Sequence, residues 1–123
     1  MKDPNDNFFQ GRIKSIKFAL RGAWLLITTE HSIMVQFGIA IIMTIVGFIV
    51  QLTAIEWMFQ LLSIGLVIVA ESLNTGLEKL SDFIHPDYNK KIGFIKDISA
   101  GAATFAAIIA IIIGLIIYLP KFS

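Results

Sequence analysis

The sequence predicts an all-α membrane protein of one domain, residues 1–123, with an amphipathic helix followed by three membrane-spanning helices. Two observations predict this class. Hydrophobic residues make up 56% of the chain and the mean hydropathy is +0.79, which is more apolar than a soluble domain. In addition, three stretches, residues 33–52, 54–77 and 98–119, approach the roughly 20 apolar residues that a helix needs to cross a bilayer.

Composition excludes several other classes of protein. The chain has no cysteine, which excludes disulfide scaffolds, thiolate metal sites and cysteine nucleophiles. A net charge of +1 argues against a nucleic-acid partner. The opening residues, MKDPNDNFFQ, lack the apolar stretch and cleavage site of a signal peptide, so we expect the first segment to be retained.

The segment before the first span, about residues 8–29, has helical periodicity. Its basic residues Lys14, Lys17 and Arg21 lie opposite an apolar stripe, so the segment is predicted to be an amphipathic helix at the membrane interface. A stripe that packs only against the spans is an equally valid interpretation. The stripe consists of Phe9, Ile13, Ile16, Leu20, Trp24 and Ile27.

The distribution of positive charge predicts the topology. Five Lys or Arg residues precede the first span and four lie between the second and third, whereas none follows the first directly. By the positive-inside rule, the N-terminus and the second connection are cytoplasmic and the C-terminus lies outside. Trp57 and Tyr118 then fall at the outer interface, where aromatic residues commonly anchor spans.

Polar residues gather where the second span should end. On a helix, Glu71, Asn74, Glu78 and Asp82 fall within an arc of about 80°, which makes one polar edge. Glu30 precedes the first span, and Lys96 and Asp97 precede the third. All three spans therefore bring polar groups to one predicted cytoplasmic layer.

Charged residues near the ends of spans often extend to water and have no function. Carboxylates that lie slightly inside the membrane, in contrast, need a compensating cation. The cation is either Lys96 or a metal ion. Oxygen ligands such as Glu30 and Glu78 suit Mg²⁺, which binds one or two carboxylates together with phosphate oxygens. This combination indicates a nucleotide substrate.

The same residues carry a resemblance. The segments ESLNTGLEKLSDFI, DYN and KDISAGAA, with SIKFALRG and Glu30 upstream, are similar to the bacterial integral-membrane diacylglycerol kinase family, including its undecaprenol kinase branch. The similarity extends over about residues 9–119. It implies ATP-dependent phosphorylation of a lipid alcohol by a homotrimer in the bacterial cytoplasmic (inner) membrane, with sites shared between subunits.

The resemblance also implies residue roles. Glu71 would be the general base, and Glu30 and Glu78 would hold Mg²⁺. The remaining polar residues would bind nucleotide or order the site: Asn74, Asp82, Asp87, Tyr88, Asn89, Lys96 and Asp97. Lys79 matches no family role.

Some positions depart from the family pattern. Ile33 and Met34 replace a frequent Phe-Arg pair, which removes a headgroup contact. The position of a nucleotide-contacting arginine in some members is occupied here by Gly11, and the nearest arginine, Arg12, is one residue later. Phe18 stands where many members have a tyrosine. The resemblance indicates a diacylglycerol-kinase-type enzyme, with undecaprenol as a competing substrate.

Two other function classes are weaker. A small transporter would be expected to carry polar groups near the midplane and an internal repeat, and a non-catalytic adaptor would not need the polar edge. The chain contains neither a GxxxxGK[ST] loop nor a kinase glycine loop, so it would have to bind nucleotide through a different type of site.

Overall fold

The computed structural model describes residues 3–123, and its four helices confirm the all-α class. In chain order they are α1 (Phe8–Thr29), α2 (His31–Ile49), α3 (Ala54–Ile84) and α4 (Lys90–Phe122). Helices α2, α3 and α4 are each long and apolar enough to cross a membrane. Lys2, one of the cations that support the predicted topology, lies outside the described residues.

The boundary between α1 and α2 lies at Glu30. Asn7 and Gln10 form a capping box at the start of α1, which satisfies backbone N–H groups of the first turn. Glu30 leaves the helical conformation, with φ −106° and ψ 113°, and is also the N-cap residue of α2. Its carboxylate is therefore located at the junction between the amphipathic helix and the first span.

The apolar stripe of α1 remains exposed. No residue of α1 is buried, and Phe9, Leu20 and Trp24 are exposed by 71%, 66% and 67%. The chain does not bury this stripe against its own spans, which removes that interpretation for a single subunit. The stripe is left to contact lipid or another subunit.

The first span is shorter than predicted. Helix α2 ends at Ile49 rather than at residue 52, because Gln51 adopts a positive φ of 57° and the backbone turns there. Leu52 donates its N–H to the carbonyl of Gly47 at 3.1 Å and is buried beneath the turn. Trp57 packs against Gly47, which has no side chain to obstruct the ring.

The second and third spans are parts of longer helices. The 31 residues of α3 and the 33 of α4 correspond to roughly 46 and 50 Å, compared with about 30 Å of hydrocarbon. Helix α3 continues past residue 77 to Ile84, and α4 begins at Lys90 rather than at residue 98. Glu78, Asp82, Lys96 and Asp97 therefore lie on rigid helical extensions.

The interior is formed mainly where α3 and α4 pack together. Small or polar side chains dominate the contact: Gln60, Ser63, Val67, Asn74 and Ser81 are buried on α3, and Ala103, Ala106 and Ile117 on α4. Small residues allow helix backbones to approach closely. The interface is consequently not uniformly apolar.

Gln60 connects all three spans, and sequence analysis did not single it out. Its Nε2 donates to the Met43 carbonyl of α2 at 3.0 Å. Its Oε1 accepts a hydrogen bond from the Tyr118 hydroxyl of α4. These partners satisfy the amide, which is why a polar side chain is tolerated at this position.

Candidate functional site

The polar residues that the sequence places in one layer, called the charged layer below, are Glu30, Glu71, Asn74, Glu78, Lys79, Asp82, Lys96 and Asp97. Two of them, Asn74 and Glu78, lie close together on α3. They are one helical turn apart, and Asn74 Nδ2 donates to Glu78 Oε1 at 3.3 Å. Asn74 is 9% exposed, and within residues 3–123 its Oδ1 is a buried acceptor without a hydrogen-bond partner. Because buried polar atoms are rarely left unpaired, this oxygen indicates a place for an additional donor or cation.

An ion pair between Lys79 and Glu30 joins the α1–α2 junction to α3. The Lys79 Nζ lies 2.8 Å from Glu30 Oε1, and the side chains are 69% and 16% exposed, respectively. This contact links the α1–α2 junction to the helix that carries Glu71, Asn74 and Glu78. Sequence analysis assigned no role to Lys79, because no local pattern reveals a partner so distant along the chain.

A second ion pair joins α4 to α3. Lys96 Nζ lies 2.8 Å from Asp82 Oδ1, so in this structure Lys96 pairs with Asp82 and not with Glu71, which was one possibility from sequence. Lys79 and Lys96 lie beyond the apolar stretches predicted to cross the membrane. The pKa of each is raised chiefly by the carboxylate that it contacts, and the charge of Glu78 contributes to both shifts.

Glu71 and Asp97 occupy different positions relative to these pairs. Glu71 is half-buried on α3, two turns before Glu78, which places it about 10 Å closer to the middle of the predicted span. Asp97 follows Lys96 on α4 and is exposed. Along α3, Glu71 is thus the acid nearest to the hydrocarbon, and Glu78 lies farther out.

The predicted nucleotide-contacting stretch forms the connection between α3 and α4. Asn89 is the N-cap of α4, and its Oδ1 accepts from the N–H groups of Lys91 and Ile92 at 2.9 and 3.2 Å. Asn89 therefore has a structural role whether or not nucleotide binds. Asp87 is exposed, as is the Tyr88 ring, at 90%, and an exposed ring offers an apolar face to a base.

The structure does not bring Arg12 and Phe18 to this layer within one chain. Both line a surface depression formed by α1 and the residues that precede it. Along α1, they lie roughly 27 and 18 Å from Glu30. Any contact that they make with the charged layer must come from another subunit or from a large movement.

The acidic residues suit a metal that is bound together with a nucleotide. Across residues 3–123, no group of three or more His, Asp or Glu side chains is close enough to hold a metal ion. However, Glu30 contacts Lys79, which directly follows Glu78 on α3. Two carboxylates completed by phosphate oxygens and water are a usual environment for Mg²⁺, so the side chains of Glu30 and Glu78 are of the ligand type that this ion prefers.

The fold and these contacts define a small multi-pass membrane protein with a layer of charged and polar residues at one end of its spans. Residues 17–118 match the family model described as prokaryotic diacylglycerol kinase. The chain is 40% identical over 108 residues to undecaprenol kinase from Bacillus subtilis, with 88% of each chain covered. It is 30% identical over 94 residues to diacylglycerol kinase from Escherichia coli K12, covering 76% of this chain and 74% of that one.

The chain therefore belongs to the prokaryotic diacylglycerol kinase family. It is a lipid kinase, a phosphotransferase for which ATP is the phosphate donor, and a multi-pass protein of the inner membrane. The family resemblance identified from the polar motifs is confirmed.

Proposed function

We propose that the charged layer is the catalytic site and that it phosphorylates a polyprenyl alcohol of the undecaprenol type. The observation that carries the site assignment is the 2.8 Å contact between Lys79 and Glu30, because it gathers acids from two separate parts of the chain. Phosphoryl transfer requires charge neutralisation, alignment and a proton acceptor. A layer with five carboxylates, two ammonium groups and a buried amide supplies such groups.

Glu71 is the proposed general base. Its position nearest the hydrocarbon allows it to meet a hydroxyl whose lipid tail stays in the bilayer. The carboxylate would accept the hydroxyl proton as the oxygen attacks the γ-phosphorus of ATP. Glu78, about two turns farther out, faces the side from which a water-soluble nucleotide arrives.

Glu30 and Glu78 are the proposed Mg²⁺ ligands. When bound, Mg²⁺ would neutralise negative charge on the transferring phosphoryl group. Asn74 orients Glu78 through its amide group. Lys96 and Asp97 would position phosphates, and the loop residues Asp87 and Tyr88 would contact the nucleoside. Asp82 holds Lys96 in place.

A homotrimer is the proposed assembly, with the N-terminus and the site facing the cytoplasm. In the apolar segments of α2, α3 and α4, only 11%, 11% and 17% of residues are buried within the chain. The exposed stripe of α1 and the distance of Arg12 from the site also favour neighbours that complete it. A single set of three spans offers little protein with which to surround polar groups.

The choice of lipid rests on similarity and on one structural feature. Identity is 40% to an undecaprenol kinase and 30% to a diacylglycerol kinase. Ile33 is completely buried, so this position cannot grip a polar glycerol headgroup. A substrate recognised mainly by its hydroxyl and its hydrocarbon tail is consistent with this site. Diacylglycerol remains the second candidate, because the family model is named for it.

The deciding experiment compares both lipids in the same bilayer. The purified protein is reconstituted with undecaprenol or diacylglycerol at matched mole fractions, and transfer of labelled γ-phosphate from ATP is measured. We expect a higher kcat/KM for undecaprenol, since this ratio defines discrimination. A higher value for diacylglycerol would reverse the choice of lipid, and transfer to neither would refute the proposed substrate class.

A further inference from the structure

Lys79 contacts the same carboxylate that is proposed to hold the metal. The Nζ of Lys79 lies 2.8 Å from Glu30 Oε1, the distance of a close ion pair. We infer that Lys79 is a resident counter-ion of Glu30, which a divalent cation must displace, and that Lys79 thereby sets the metal affinity of the site. This inference rests on the proposed function.

The unequal exposure of the two side chains supports an exchange of cations. Glu30 is only 16% exposed, so its carboxylate is poorly hydrated and requires a positive partner. Lys79 is 69% exposed and has a flexible stem, so its ammonium regains water readily when it leaves. A largely exposed lysine is held weakly, which makes it a displaceable partner.

Electrostatics extend the effect of Lys79 to the second proposed ligand. Glu78 is within reach of the Lys79 charge, so the ammonium opposes the approach of another cation to both carboxylates. A nucleotide would offset this repulsion, because its phosphates offer the displaced ammonium a new anionic partner. The site would accordingly bind metal poorly alone and better with nucleotide.

Lys96 provides a matched control for charge. It lies in the same layer, it also forms a 2.8 Å ion pair, and it is also influenced by Glu78, but its partner is Asp82. Removing Lys96 deletes the same unit of positive charge without freeing Glu30. Comparing the two variants therefore separates the effect of freeing Glu30 from the effect of losing one positive charge near the site.

The test measures Mn²⁺ binding to the nucleotide-free, full-length protein in detergent, by the electron paramagnetic resonance signal of free Mn²⁺. We expect Lys79→Met to bind Mn²⁺ about fivefold or more tightly, and Lys96→Met to change the Kd less than about twofold. Lys79→Arg should not tighten binding, because its guanidinium still pairs with the carboxylate. Helical content and oligomer size of each variant check folding.

A second series of variants separates the inference from the proposed metal site. In a Glu30→Gln background, Lys79→Met should no longer tighten Mn²⁺ binding. If Glu30→Gln alone leaves the Kd unchanged, the assignment of Glu30 as a ligand is wrong. If Glu30→Gln weakens binding while Lys79→Met has no effect, or no more effect than Lys96→Met, the metal site stands and the counter-ion role of Lys79 is refuted.

Discussion

Lys79 on α3 pairs with Glu30 at the start of α2, with 2.8 Å between Nζ and Oε1. Glu30 is the residue at which α1 ends and α2 begins, so this contact joins the α1–α2 junction to the second span. The side chains around it include both proposed metal ligands. Four consequences of this arrangement and of the helix packing can be measured.

Glu71→Gln is expected to abolish most of the chemical step and to leave nucleotide binding intact. Glutamine has nearly the same shape but cannot accept the hydroxyl proton, and loss of a general base typically reduces the rate by roughly 10²–10⁴-fold. Single-turnover phosphate transfer and ATP binding measure the two effects. Glu56→Gln is the control, because Glu56 pairs with Lys121 at the opposite end of α3. Near-normal turnover of Glu71→Gln would exclude Glu71 as the base.

Glu30→Gln and Glu78→Gln are each expected to raise the Mg²⁺ concentration needed for half-maximal activity by roughly tenfold or more. Each substitution removes one anionic oxygen ligand. ATP binding should weaken more than lipid binding, because the metal contacts phosphates and not the tail. Titrations of Mg²⁺ at fixed ATP test this expectation. Unchanged titrations for both variants would contradict the proposed pair of ligands.

Arg12 gives a test of shared sites, because it lies roughly 27 Å from Glu30 along its own α1. Mixing inactive Glu71→Gln with Arg12→Gln subunits should restore activity, up to about a quarter of the wild-type level for random mixing of sites built from two neighbours. Mixing Glu71→Gln with Glu78→Gln should give no rescue, since both residues lie on one α3. Full activity of Arg12→Gln alone would show that Arg12 does not contribute.

Gly47→Ala is expected to destabilise the protein, whereas Gly38→Ala on the same helix is not. A Cβ at position 47 would lie 2.7 Å from Trp57 Cη2 and 2.9 Å from Leu52 Cδ1, but one at position 38 has no atom within 4 Å. Overpacking of this kind costs about 1–3 kcal/mol. Reversible unfolding in mixed micelles measures the difference. Equal stability of the two variants would mean that Trp57 moves aside without cost.

Sequence patterns predicted the number and order of the helices but misplaced several ends. The first span ends at Ile49 because Gln51 takes a positive φ, a backbone choice without a local signal in VQLT. Helices α3 and α4 extend beyond the apolar stretches. Hydropathy identifies the residues that can lie in the membrane, but it does not identify where the backbone hydrogen bonds of a helix end. Asn89 illustrates the same point, since its N-cap at α4 lies well before the apolar region.

The charged site was predicted only in part. The polar edge of Glu71, Asn74 and Glu78 follows from the 3.6-residue period alone, so it was visible in the sequence. The partner of Lys96 was not, because Asp82 and Glu71 lie on the same helix and the vertical offset between α3 and α4 determines which one the lysine reaches. The proposed roles of these residues stay predictions until the variants above are measured.

The sequence by itself determined that this chain is a three-span membrane protein with an amphipathic leading helix and an acidic layer, because those properties depend on periodicity and hydropathy within continuous segments. Only the tertiary structure decided that Lys79 neutralises Glu30 and that Gln60 joins Met43 to Tyr118. Both contacts connect residues on different helices. Their formation depends on how the helices are rotated and offset, which is a property of side-chain packing and not of any one segment.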